Sequence, residues 1–196
     1  MSLRVPFRLC PSLLLCLALG VAPVASAATP ATGQADDLFT LLDNVTRMAS
    51  SGLANWLTLS RDSAVASGVE PIPLHIRAQL EPWYDFQVLD AARYQVGNTQ
   101  QLDAASAFLQ NPDVSAVTLV DVIVFRTAED ARDNVALWAH ELKHVQQYQQ
   151  WGVEGFAARY TRNFDAVEAP AYAIQAEVGK ALKLAPGATL AAHPAH

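Results

Sequence analysis

Residues 138–151 read W-A-H-E-L-K-H-V-Q-Q-Y-Q-Q-W. Trp138, Leu142 and Val145 recur at spacings of three and four, the period of an amphipathic helix. On that helix His140 and His144 lie one turn apart on a single face. Two imidazoles so placed reach one tetrahedral metal ion, and Zn2+ suits such a donor pair. Glu141 stands around the helix from the pair, where a carboxylate reaches a metal-bound water without being a ligand. Zinc lowers the pKa of that water toward neutrality, and a neighbouring carboxylate takes its proton as the water attacks a carbonyl. H-E-x-x-H thus places two ligands and a general base within five residues. The plain alternative is a solvated helix face on which two histidines happen to fall four apart. Lys143 is a charge where such motifs usually carry none, and its long stem lets the ammonium reach water.

A catalytic zinc takes three protein ligands and keeps one open position. Glu168 is the expected third ligand, 24 residues beyond His144, which leaves room for a turn, a short helix and a return. Glu168 also fits the third position of a capping box opened by Asp165. Pro170 complicates that role, because it removes a helical hydrogen bond just beyond the cap. Asp165 and Glu154 are lesser ligand candidates, and Glu154 would require a sharp fold-back. His75, beside a proline-rich connection, reads as a surface residue, and His193 and His196 fall in a breaker-rich tail. Three phenols, Tyr148, Tyr160 and Tyr172, lie near the same segments. Tyr172 shares a helix face with Glu168 and is the preferred donor to a developing oxyanion, whereas Tyr160 fits a core aromatic.

Outward from this stretch, A-V-T-L-V-D-V-I-V-F at 116–125 is the strongest strand signal, β-branched and nearly unbroken in its apolar run. Thr127 and Asp130 read as a helix start, with one long helix expected to about Gln150 and a break at Gly152. Val153, Phe156 and Tyr160 mark a further helical face, and a third helix is expected from about Ala166 to Leu184. Upstream, Leu38, Leu41, Leu42, Val45 and Met48 predict a helix that Ser50-Ser51-Gly52 interrupts, with a second helical stretch to about Ala66. A short helix is expected over 74–81, a strand over 92–96, a helix over 99–110 and a turn at 111–113. The fold class is therefore α+β, mostly helical, with a small sheet packed against the H-E-x-x-H helix.

The chain has 196 residues, which suits one domain with a sizeable core. Arg4 and Arg8, an apolar run too short to span a bilayer comfortably, and Ala25-Ser26-Ala27 make residues 1–27 a secretory signal peptide. Residues 28–35 then form a flexible mature N-terminus, 36–184 a single domain with an N-terminal helical segment at 36–66, and 185–196 a disordered tail. The expected location is periplasmic or secreted, with no stable membrane insertion after cleavage. Cys10 and Cys16 both lie in the signal, so the exported chain has no disulfide to hold it. Without Arg4 and Arg8, 11 basic residues face 19 acidic ones, a net charge of −8. That excess argues against nucleic acid or anionic membranes as partners and leaves a peptide or protein substrate open.

Four pieces together, P-I-P-L-H-I-R-A-Q-L-E (71–81), A-V-T-L-V-D-V-I-V-F (116–125), L-W-A-H-E-L-K-H-V-Q-Q-Y (137–148) and V-E-A-P-A-Y (167–172), resemble the eCIS-core domain. That domain is of zinc-metallopeptidase type and is associated with extracellular contractile injection systems. The resemblance implies a zincin-like fold over 71–172, His140 and His144 as ligands, Glu141 as base, and Glu168 as the family's downstream glutamate. Two positions depart from it: Val120-Asp121 stands where a glycine-containing turn is expected, and Lys143 replaces a small or apolar residue. The leading expectation is an exported zinc-dependent peptidase. Its rivals are a zinc-stabilised binding or scaffold module, with the N-terminal helices as a plug for its groove, and a metal-free helical protein with a chance motif.

Overall fold

The structure is a computed structural model and describes residues 32–97, 102 and 115–184. The expected helix over 99–110, the turn at 111–113, the signal segment, and His193 and His196 lie outside the described residues.

The chain runs through α1 (Thr32–Ser67), β1 (Glu70–Pro71), α2 (Leu74–Leu80), α3 (Phe86–Ala91), β2 (Arg93–Val96), β3 (Ala116–Leu119), β4 (Val122–Phe125), α4 (Ala128–Asp133), α5 (Val135–Arg162) and α6 (Phe164–Leu184). The strands form one mixed sheet in the order β1-β2-β4-β3, with β2 parallel to β4 and the other pairs antiparallel. The protein is mostly helical, with this small sheet packed against helices, as the α+β reading expects.

The unbroken apolar run at 116–125 is two strands, not one. Val120 and Asp121 make a tight turn, and β3 folds back antiparallel on β4. Val120 holds φ 62, the left-handed region that glycine adopts without penalty. The resemblance called for a glycine at this turn, and the backbone takes glycine's conformation although valine occupies it. Both strands are buried at every position because both faces of the sheet are covered. Ile123 and Phe125 of β4 point into a core shared with Trp138, Leu142, Ile76 and Leu80. Val122 and Val124 point to the other side, into a core shared with Leu53, Leu57, Phe156 and Tyr160. Trp138 fixes the first core further, donating its indole N–H to the Ala131 carbonyl at 2.8 Å.

Two other boundaries differ from expectation. α1 is continuous through Ser50-Ser51-Gly52. The Ser50 hydroxyl donates back to the Arg47 carbonyl at 3.0 Å, and Leu53, Ala54 and Leu57 anchor the next turns in the core. An internal glycine costs only about 1 kcal/mol of helix propensity, which such burial outweighs. Conversely, the helix expected from 128 to 150 is divided. Thr127 caps α4, its hydroxyl accepting from the Asp130 N–H at 3.0 Å. Asn134 then ends α4 and caps α5, its carbonyl accepting from the Leu137 N–H at 3.1 Å. Gly152, at φ 69 and ψ 171, kinks α5 where a break is expected. Among the described residues no helix is long and apolar enough to cross a membrane.

Candidate metal centre

α5 carries His140, Glu141 and His144 on its first, straight half, and all three are buried. α6 returns antiparallel after Asn163, whose side chain accepts from the Ala166 N–H at 3.1 Å. This cap does the work that Asp165 would have done in a capping box, and it leaves Glu168 to turn inward. Glu168 Oε2 stands 3.3 Å from His140 Nε2, Glu168 Oε1 stands 3.5 Å from His144 Nε2, and the two Nε2 atoms are 3.2 Å apart. Bond lengths of about 2.0–2.1 Å around a tetrahedral zinc imply ligand-to-ligand edges of about 3.3–3.4 Å. Each of these separations is close to such an edge, with the two histidines facing different oxygens of Glu168, and the three side chains form a group able to hold a metal ion.

The chemistry of the donors agrees with the spacing. The Gln147 amide donates through Nε2 to the Val167 carbonyl at 2.8 Å, so its oxygen is the atom that faces His144 Nδ1 at 2.9 Å. An oxygen there needs a proton on Nδ1, which leaves the lone pair of a neutral imidazole on Nε2, aimed at the centre. Burial alone disfavours charge on His144, but the hydrogen bond and charge of Glu168, with Glu141 behind it, hold its pKa above the usual imidazole range. Burial likewise opposes ionisation of Glu168. With a proton in place of a metal on each Nε2, hydrogen bonds from His140 and His144 outweigh that and bring its pKa down to about 2, so the carboxylate is ionised at any ordinary pH.

Glu141 lies beside the triad without joining it. Its Oε2 accepts from the Thr118 hydroxyl at 2.7 Å, and the same hydroxyl lies 3.1 Å from the Glu141 carbonyl. Thr118 belongs to β3, the edge strand, so the sheet itself holds the carboxylate of H-E-x-x-H in place. Lys143 is half-buried and donates to Gln146 at 2.7 Å.

These groups open on a cleft of about 270 Å³. α1 supplies one wall through Leu53, Trp56 and Leu57, and Phe156, Tyr160 and Tyr172 stand on the helical side. Tyr172 is half-exposed, and its ring meets the His140 ring edge-on with centroids 4.7 Å apart. Tyr160 is buried in the core, as expected, and also lines the cleft. Burial, with the Glu168 charge facing it, pushes its pKa up, so it stays a phenol able to donate. Tyr148 is buried and stacks on Phe156 with centroids 3.9 Å apart. The weaker candidates fall elsewhere: Glu154 and Asp165 are exposed outside the cluster, and His75 Nε2 pairs with the Arg132 carbonyl at 2.7 Å.

The buried H-E-x-x-H pair and its edge-strand hydroxyl bear on ancestry. Residues 71–152 match the eCIS core domain. No curated protein and no solved structure matches the chain. The eCIS core match includes His140, Glu141, His144, Thr118 and Gln147 and stops at Gly152. Glu168, Tyr172 and the whole of α1 lie outside it. It covers less than half of the chain, so two walls of the cleft come from segments that the match does not reach.

Sequence reasoning missed Thr118 and Gln147. Gln147 follows His144 by three residues and was legible as its neighbour on the helix. Thr118 carried no such signal, because only the register of β3 against α5 brings it to Glu141.

Proposed function

We propose that the protein is an exported zinc-dependent peptidase in which His140, His144 and Glu168 hold the ion and Glu141 is the general base. The observation that carries this reading is the close approach of three buried side chains, the two histidine Nε2 atoms 3.2 Å apart and each within 3.5 Å of a Glu168 oxygen, with a second carboxylate, that of Glu141, fixed beside them. Zinc held by these residues would supply a water of lowered pKa and a Lewis acid for the scissile carbonyl. The protein's own groups divide the remaining work. Thr118 orients Glu141 to take a proton and return it to the leaving amine. Tyr172, at the mouth of the cleft, donates its phenolic proton to the oxygen on which charge develops. Among the described residues that line the cleft, apolar and aromatic side chains predominate and none is a lysine or arginine. An interior stretch of peptide with apolar side chains suits these walls best. Residues 1–27 direct the chain out of the cytoplasm.

Glu141→Gln tests the mechanism. The variant is expected to bind one equivalent of zinc, as wild type does, and to lose at least about 100-fold in peptide-library hydrolysis. Undiminished hydrolysis by this variant would remove Glu141 from the mechanism.

One observation favours the second reading, a zinc-stabilised binding module. Leu53, Trp56 and Leu57 of α1 crowd the cleft from the side opposite the histidines. Stoichiometric zinc in a wild-type chain that cleaves no member of the library supports that reading. Burial of Leu57 and Ala64 in the core supports α1 as a structural layer over a removable plug.

A further inference from the structure

Residues 37–49 of α1 are exposed at every position except Thr46. Within them Leu38, Leu41, Leu42, Val45 and Met48 are each 54–76% exposed. At 100° per residue these five fall within one arc of about 120°. Asp43 and Arg47 lie on the opposite side, where they pair with each other at 3.4 Å, so no charge interrupts the stripe. Leu59, 61% exposed, continues it toward the C-terminus. Gly52 lies between, with nothing within 4 Å of where a Cβ would stand, which admits a close neighbour. The face that α1 turns to the body, carrying Leu53, Leu57 and Ala64, is about a quarter of a turn away. Phe39, 69% exposed, continues the body-facing line, whereas the five residues of the stripe form a second line beside it.

A half-helix of this length without tertiary cover is marginal in water, and its side chains add an apolar patch of a size that marks interaction surfaces. We propose that this stripe is the seam of a homodimer, in which α1 pairs antiparallel with α1 of a second copy of the chain. A charge-free stripe needs a charge-free apolar face opposite, and the stripe is self-complementary across a two-fold axis. Antiparallel pairing also sets the two helix dipoles against each other favourably. The six side chains present roughly 600 Å² per copy, close to the ~800 Å² per partner of a standard interface once flanking residues are included. An anionic membrane fits less well, because the charge that borders the stripe, Asp37, is acidic and no lysine or arginine of residues 37–49 lies beside it.

The test is the mass of the purified chain by light scattering and sedimentation across the micromolar range. Wild type is expected at twice the chain mass. Leu41→Glu/Val45→Glu is expected at half that value, with tryptophan fluorescence showing that the body remains folded. Arg47→Glu, on the back of the helix, is expected to keep the dimer. Wild type at monomer mass throughout, or a Leu41→Glu/Val45→Glu variant that stays dimeric, overturns the proposal.

Discussion

At His144 and Glu168 the contacts that assemble the centre also set two charges, and these give the molecule a pH signature once metal is stripped. Glu168 is lowered from its ordinary 4.5 to about 2, so its contribution to stability is present above pH 4.5 and is lost as pH falls through about 2. His144 is raised from 6.5, so its contribution is complete below pH 6.5 and is lost as pH rises through the raised value. Chelator-treated protein is therefore expected to be most resistant to heat between pH 4.5 and 6.5. Melting curves at about pH 5.5 and about pH 8.5 check this, with Glu168→Gln expected to flatten the difference. Equal midpoints at both values in the unsubstituted chain would mean that the ion pair contributes nothing without metal.

The elements that build the centre depend on a few backbone positions. Gly152 sits at φ 69 and ψ 171, a conformation that residues with a Cβ essentially do not adopt. It lets α5 kink after its histidine-bearing half, so that the rest of the helix carries Phe156 and Tyr160 across the cleft. Gly152→Ala is expected to cost about 1–3 kcal/mol, read as a lower denaturant midpoint with an unchanged slope. The space at the site is not the obstacle, since the nearest atom to a new Cβ is the flexible end of Glu154 at 4.0 Å. An unchanged midpoint would show that the kink survives in another conformation. The hairpin is held from outside by Arg61 of α1, whose guanidinium donates twice to Asp121 at 2.8 and 2.9 Å. Because this pair is about a third exposed, its net contribution is on the order of 1 kcal/mol or less.

Across the whole molecule, the candidate metal centre joins α5 and α6 by polar groups, and α1 supplies a wall of its cleft. A zinc ion held there binds the folded chain alone, so stability should rise with its concentration. The gain is about 4 kcal/mol at a thousand-fold excess over the dissociation constant. Removing zinc with a chelator is expected to lower the melting temperature of wild type and to leave that of His140→Ala nearly unchanged. Equal sensitivity of both proteins to the chelator would place the bound metal somewhere else.

Much of this was determined by the sequence alone. Period-3.6 spacing set His140 and His144 on one face and Glu141 beside them, because helix geometry is local and repeats every few residues. Composition and β-branching identified 116–125 as buried sheet, and glycine at 152 as a break. The hairpin within 116–125 was not legible, because a strand buried on both faces and a hairpin of two such strands have the same apolar pattern, and valine at 120 hides the turn. The continuity of α1 was equally hidden, since burial of Leu53 and Leu57 outweighs a local preference that serine and glycine express correctly. Only the tertiary structure decided which carboxylate completes the triad, that Thr118 holds Glu141, and that Tyr160 faces the cleft. Those are meetings between segments distant in the chain, and they are fixed by packing, which no local period encodes.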